Sequence, residues 1–232
     1  MPRQEPLTRS MQDYLKAIYS ILERNERATT SVIAERMGIA SPSATAMVKK
    51  LAQLRLVDHE PYQGVKLTAA GEKTALEIVR HHRLIELYLA EALGVPWDEV
   101  HDEAEELEHA ISESLEDRID DLLGNPTVDP HGAPIPARDG TFVELSGRKL
   151  SDVNAGECVT VIQVDDRDPE LLRHLGECEL YPGARVEVLA VEPFEGSFGP
   201  IDLSNPAPVV TKYPILSRIV RFILRLLRYW FC

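Results

Sequence analysis

Residues 30–68 read TSVIAERMGIASPSATAMVKKLAQLRLVDHEPYQGVKLT, and the order of elements in this stretch decides the fold. Thr30-Ser31 opens a helix, SVIAERM, that stops at Gly38, since glycine enters the left-handed region without a Cβ penalty. Ser41 then suits an N-cap and Pro42 the first helical position. The next helix runs through SATAMVKKLAQLRL, with Ala44, Met47, Val48, Leu51 and Leu54 on its inner face. Helix, tight corner, helix is the pattern of a DNA-binding helix-turn-helix. Leu56–His59 and Val65–Thr68 read as short strands around Tyr62-Gln63-Gly64, a wing. A small helical bundle with an incidental hairpin is the alternative. The occurrence of all four elements in order favours the winged form.

Upstream, residues 10–24 place Met11, Leu15, Ile18, Tyr19 and Leu22 at helical intervals, one amphipathic helix. Downstream, a long helix is expected from about Ala69 to Leu93. Its later apolar positions, Leu84, Ile85, Leu87, Tyr88 and Leu89, exceed what one small domain needs. Pro96-Trp97 opens an acidic helix, and Ser112 begins another that ends at Leu123-Gly124. The surplus apolar surface points to a dimer, whose two-fold symmetry suits paired DNA half-sites.

The chain divides into four parts. Residues 1–74 form a winged helix-turn-helix domain, and residues 75–141 a helical metal-binding and dimerisation domain with a linker, GNPTVDPHGAPIPARDGT, dense in Pro, Gly and Asp. Residues 142–200 carry β-like runs at Cys158–Val164 and Arg185–Val191, expected to build a small SH3-like β-barrel. The fold class is therefore mainly α with a small β domain. Residues 201–232 are an atypical basic amphipathic tail, with Arg218, Arg221, Arg225 and Arg228 in one stripe. A membrane-surface helix, a helix docked on the body and an irregular tail remain open for it; membrane contact is the least favoured.

The net charge of −13 is unevenly spread. Residues 1–80 hold 12 Lys and Arg against 9 Asp and Glu, whereas residues 81–150 hold 5 against 17. The first part can meet DNA while the second attracts cations. Cys158, Cys178 and Cys232 are odd in number and contain no CxxC, which argues against a disulfide framework or zinc knuckle and fits the cytoplasm. No signal region and no apolar run of roughly 18 residues is present.

The chemistry is concentrated in His101-Asp-Glu-Ala-Glu105-Glu-Leu-Glu108-His109 and in His82-Arg-Leu-Ile-Glu86. At about 100° per residue, His101, Glu105, Glu108 and His109 share one helical arc, and His82 and Glu86 share another face. Imidazole and carboxylate groups gathered this way suit a divalent first-row metal. A solvated acidic face is the plainer reading; His82 and Glu86 beside a winged helix count against it. His59, His81, His131 and His174 lack companions at ligand spacing and read as structural or surface residues.

The order of winged helix, HRLIE, VHDEA, EH and Asp129-Pro-His-Gly-Ala-Pro-Ile-Pro136 resembles the diphtheria toxin repressor family of metal-dependent regulators. The resemblance covers most of residues 8–195. It implies a primary metal site of Asp13, Glu105, Glu108 and His109 and an ancillary site of His82, Glu86 and His101. Asp165 and Asp168 of the SH3-like domain align with a segment that donates oxygens to the ancillary site. Iron-responsive members carry methionine and cysteine where this chain has Asp13 and Glu105. Carboxylates are harder donors, which favours Mn²⁺ over the alternative Fe²⁺. In some manganese regulators a further carboxylate follows the aspartate by one turn; here that position is Lys16.

Ser41, Pro42, Ser43, Thr45, Lys49, Lys50 and Lys66 are the candidate DNA contacts, lysines on phosphates and short hydroxyl side chains near base edges. The expected function is a homodimeric, manganese-dependent repressor on a palindromic operator, controlling metal-transport genes, with no small-molecule substrate and no enzymatic activity. An iron-dependent repressor is the first alternative. A carboxylate-rich metalloenzyme, suggested by Glu106-Leu-Glu-His109, lacks the second ExxH that di-iron bundles use. A DNA binder sensing a small organic ligand is the third.

Overall fold

Thr8 caps the first helix, α1 (Arg9–Glu23), by accepting from the Met11 amide at 3.4 Å. In the computed structural model, which describes residues 7–24, 27–60 and 64–188, α1 buries Met11, Leu15, Ile18 and Ile21 on one stripe. That stripe packs on α2 (Thr30–Arg36), α3 (Ser41–Gln53), Val57 and Val65 to form the core of the DNA-binding unit. Leu15 and Ile18 are fully buried, so truncating either to alanine costs about 2–5 kcal/mol.

Gly38 turns the corner between α2 and α3 at φ +64°, as its sequence position requires. The start of α3 differs from expectation by one residue. Ala40 is the N-cap and Ser41 is already helical, with no side-chain cap bond. Leu54, expected inside, lies at the helix end and is exposed. The wing strands β1 (Val57–Glu60) and β2 (Gly64–Leu67) pair antiparallel with Val57 opposite Leu67 and His59 opposite Val65. Tyr62 lies outside the described residues.

The long helix α4 spans Ala69–Leu93, bounded by a Thr68 cap and by Gly94 at φ +70°. Its first turn lies against the start of the wing so closely that a Cβ on Gly71 would meet the Leu56 carbonyl oxygen at 1.9 Å. Ala75 joins the DNA-binding core, whereas Leu84 and Leu87 pack on Ile119 of α6, and Ile85 and Leu89 on Val100 and Ala104 of α5. One rigid rod therefore carries both units. The acidic helix is shorter than expected: Pro96–Glu99 form a turn, α5 runs Val100–Leu107, and Glu108 is its C-cap. α6 (Glu113–Leu122) begins after a Ser112 cap and is tied to α4 by Arg80, which reaches Glu116 at 2.5 Å and Asp120 at 2.7 Å.

The third unit holds β3 (Cys158–Thr160) paired with β4 (Arg185–Glu187), and α7 (Pro169–Glu177). Of the barrel expected over residues 142–200, the described residues, which reach 188, form this one antiparallel pair; the tail with its four arginines lies outside them. The strand expected over Cys158–Val164 ends at Thr160, and the Val164 amide instead donates to the His131 carbonyl at 2.9 Å. Gly132, at φ +85°, permits that approach, since a Cβ there would stand 2.0 Å from the Ile162 carbonyl oxygen. Trp97 stacks on His131 and leans on Tyr181, and Arg173 reaches Asp98 at 3.0 Å. The third unit is thus docked against the α4–α5 connection. Among the described residues, no helix is long and apolar enough to cross a membrane.

Candidate metal centre

Four groups of potential ligands meet where α1, α4, α5 and the 129–133 loop converge. The first joins Asp13 of α1 to Glu108 and His109 at the end of α5. His109 Nδ1 lies 2.8 Å from Gln12 Oε1, and a carboxamide oxygen only accepts, so Nδ1 carries the proton. Nε2 lies 2.7 Å from Asp13 Oδ1 and 3.3 Å from Glu108 Oε1. Asp13 Oδ1 and His109 Nε2 are both buried, yet neither makes a properly aligned hydrogen bond. One imidazole nitrogen and two carboxylate oxygens within 4.8 Å of one another are a donor set that a divalent cation takes. This arrangement fits a metal. Burial raises the Asp13 pKa, opposed by His109.

The second group is a triangle. His82 Nε2 lies 3.0 Å from Glu86 Oε1 and 3.1 Å from His101 Nδ1, and His101 Nδ1 lies 3.1 Å from the same Glu86 oxygen. Glu86 is fully buried at the centre of α4. Burial alone would lower the His82 pKa, but the Glu86 carboxylate and the hydrogen bonds to Glu108 and Glu86 raise it to about 9. Burial likewise opposes the Glu86 charge, and His82 and His101 outweigh it, holding that carboxyl below its ordinary range.

The third group was not legible in the sequence. Glu86 Oε2 faces His131 Nδ1 at 3.9 Å, and Asp166 joins them. His131, set aside above as structural, is completely buried. Its Nε2–H donates to the Trp97 carbonyl at 2.8 Å, which leaves Nδ1 without a partner, as it leaves Glu86 Oε2. Asp129 shapes the loop by accepting from the His131 and Ala133 amides. Burial, with Glu86 nearby, pushes the Asp129 pKa up to about 7.

Asp165 and Asp168 are not brought to the cluster. Asp165 pairs with Arg167, and Asp168 caps α7 by accepting from the Glu170 and Leu171 amides. The residue between them, Asp166, is the one that reaches Glu86 and His131. The DPHG loop and the aspartate run were both visible, but only the chain pairing at Val164 selects which aspartate turns inward.

Glu105 also departs from its expected place. It turns from Asp13 toward Lys16, whose Nζ lies 2.6 Å from Glu105 Oε1, 2.7 Å from Glu108 Oε2 and 3.2 Å from His82 Nδ1. Without that ammonium, His82, Glu105 and Glu108 form the fourth group of ligand type. Glu108, fully buried, serves two groups, with Oε1 near both His109 and Lys16 and Oε2 on Lys16 and His82, and its pKa is lowered, against burial, by His82 and Lys16.

In the first unit, α3 presents Ser41, Pro42, Ser43, Lys49 and Lys50 to solvent, with Lys66 exposed on β2. The Thr45 hydroxyl is spent on the Ser41 carbonyl at 2.9 Å.

Comparison with known proteins agrees with this layout. Residues 6–65 match the family domain described as the iron dependent repressor N-terminal DNA binding domain. Residues 68–137 match the iron dependent repressor metal binding and dimerisation domain, and residues 148–199 the FeoA domain. The chain is 32% identical over 188 residues to the iron-dependent repressor IdeR of Mycobacterium leprae, covering 75% of this chain and 81% of that one. It is 39% identical over 116 residues to the regulator MntR of Oceanobacillus iheyensis, covering 50% and 78%. A solved manganese-dependent transcriptional repressor in complex with manganese superposes with a TM-score of 0.73 at 44% identity, covering 78% of this chain and 83% of that one. With two repressor domains in tandem and a relative of this identity along most of its length, the chain belongs to the diphtheria toxin repressor family of metal-dependent transcriptional repressors.

Proposed function

We propose that this chain is a cytoplasmic, manganese-dependent repressor that binds a palindromic operator as a homodimer. The observation that carries the reading is the junction of Asp13 with Glu108 and His109, because it joins the DNA-binding unit to the end of α5 and leaves Asp13 Oδ1 and His109 Nε2 buried without a hydrogen bond. We assign Asp13, Glu108 and His109 to a first metal position. Two ancillary groups are assigned to Glu86, one with His82 and His101 and one with His131 and Asp166. When bound, Mn²⁺ supplies two positive charges and a preference for oxygen and nitrogen donors.

The donor set favours manganese over iron. Among the described residues, no cysteine belongs to any of these groups: Cys158 is exposed on β3 and Cys178 follows α7. Relatives named for iron make Fe²⁺ the second reading.

The protein's part is placement. Gln12 fixes the His109 tautomer, Trp97 fixes that of His131, and the docked third unit delivers Asp166. Asp13 ties α1, and through it α3, to the helical unit. Leu93, Leu107, Leu115 and Leu122 are exposed on α4, α5 and α6 and supply an apolar face for the second subunit. The exposed face of α3 enters the major groove, with Lys49, Lys50 and Lys66 on phosphates. Residues 142–200 complete an SH3-like barrel.

Selection from random duplex DNA in Mn²⁺ is the test. It should return two inverted half-sites about one helical turn apart whose capture is lost on chelation. An asymmetric or chelator-indifferent site contradicts the proposal.

Proton release gives a second check on the ligands. His82, with its pKa raised to about 9, is protonated at neutral pH and must lose that proton to ligate. Metal affinity at its position should rise with pH by up to about tenfold per unit from pH 7 and level off above about 9. Calorimetry at pH 7 in buffers of different ionisation enthalpy should register a released proton, absent in a His82→Ala variant. No proton release in the native chain would remove His82 from the ligand set.

A further inference from the structure

We infer that Lys16 is a built-in cation that occupies the position of a second divalent ion beside the Asp13 site. This rests on the metal assignment above and extends it to the number of ions held there.

The geometry is specific. Lys16 Nζ lies within 3.2 Å of Glu105 Oε1, both Glu108 oxygens and His82 Nδ1. Those three residues form a group of ligand type of their own, mutually close and mostly buried. An ion within bonding distance of all three would coincide with the ammonium. Lys16 supplies three donors, enough to meet Glu105, Glu108 and one further acceptor. It is on the helix that carries Asp13, one turn later, and its side chain is only 18% exposed. The ammonium therefore arrives with the fold and needs no dissociation equilibrium.

Two consequences follow. Lys16 holds α1 against α5 through Glu105 and Glu108 before any metal arrives, so one ion, not a pair, completes the junction at Asp13. Glu108 is shared by the two positions: Oε1 lies 3.3 Å from His109 Nε2 and 3.0 Å from Lys16 Nζ, and Oε2 lies 2.7 Å from Lys16 Nζ. An ion admitted in place of Lys16 would share that carboxylate with the ion at Asp13.

The test is the number and coupling of bound Mn²⁺ ions, read by equilibrium dialysis with metal analysis and by electron paramagnetic resonance on the full chain. Lys16→Glu should bind one more Mn²⁺ per chain than the native protein and show an exchange-coupled pair. The native protein should show uncoupled ions. Lys16→Met, which vacates the pocket without adding a ligand, should gain the same ion at higher Mn²⁺ concentration. A coupled pair in the native chain overturns the inference, as does an unchanged ion count in the folded variants. If circular dichroism shows Lys16→Glu unfolded, Lys16→Met and the native spectrum decide. An Asp13→Ala control separates the two claims: if it loses no ion, the Asp13 assignment fails, while the gain on removing Lys16 is still read from the count.

Discussion

Replacing Asp13 with alanine is expected to abolish most of the Mn²⁺-dependent gain in operator affinity while leaving metal-free DNA affinity unchanged. Asp13 is the only residue of α1 in the proposed ligand set; the others lie on α4, at the two ends of α5 and in later loops. Its loss leaves Glu108 and His109 able to hold a cation weakly, but nothing then joins that cation to the DNA-binding unit. Coupling of this kind typically amounts to about 5- to 150-fold in affinity, and the variant should retain little of it. Asp13 is one-third exposed and lies outside the apolar stripe of α1, so folding should survive. Melting curves check that point, and titration of labelled operator with and without Mn²⁺ checks the other. A variant that responds like the native protein removes Asp13 from the site.

Glu86→Ala should have the largest effect on stability. Glu86 is wholly buried and faces His82, His101 and His131 at once. Removing one partner of a buried charged set leaves the others uncompensated, at a cost of roughly 3–5 kcal/mol. For a chain of this size that corresponds to a fall in melting temperature on the order of 10 °C. The same substitution takes the shared carboxylate out of both proposed ancillary groups, so Mn²⁺ should no longer raise the melting temperature through them. A Glu86→Ala protein that melts within about 2 °C of the native chain, with an undiminished metal-induced rise, would show that neither group depends on this carboxylate.

Much of this was readable from the residues, and the failures share a cause. The limits of α4 coincide with the expected Ala69–Leu93 because both ends are set locally, by the Thr68 cap and by Gly94. Asp13, Glu108 and His109 meet as the family resemblance implies. The start of α3 moved to an Ala40 cap because Ser41 and Pro42 fit the first helical turn as well as its edge. Glu105 was drawn off by Lys16, a partner on a helix far away in sequence. His131 has no companion at helical spacing; Glu86 and Asp166 reach it only because α4 and the third unit close on the 129–133 loop. Asp165, Asp166 and Asp168 are alike in sequence, and a backbone bond from Val164 to His131 decides which one faces inward. Local signals set the helices, while the ligand register depends on contacts between units.

The central claim, that an ion held at Asp13, Glu108 and His109 controls DNA binding, is tested most directly by fluorescence anisotropy of a labelled operator. The titration is run with the full chain in Mn²⁺, in Fe²⁺ under anaerobic conditions, and in chelator. Tight binding in Mn²⁺, weaker binding in Fe²⁺ at equal free metal, and loss in chelator are the predicted results. Equal operator affinity in Mn²⁺ and in chelator would contradict the account.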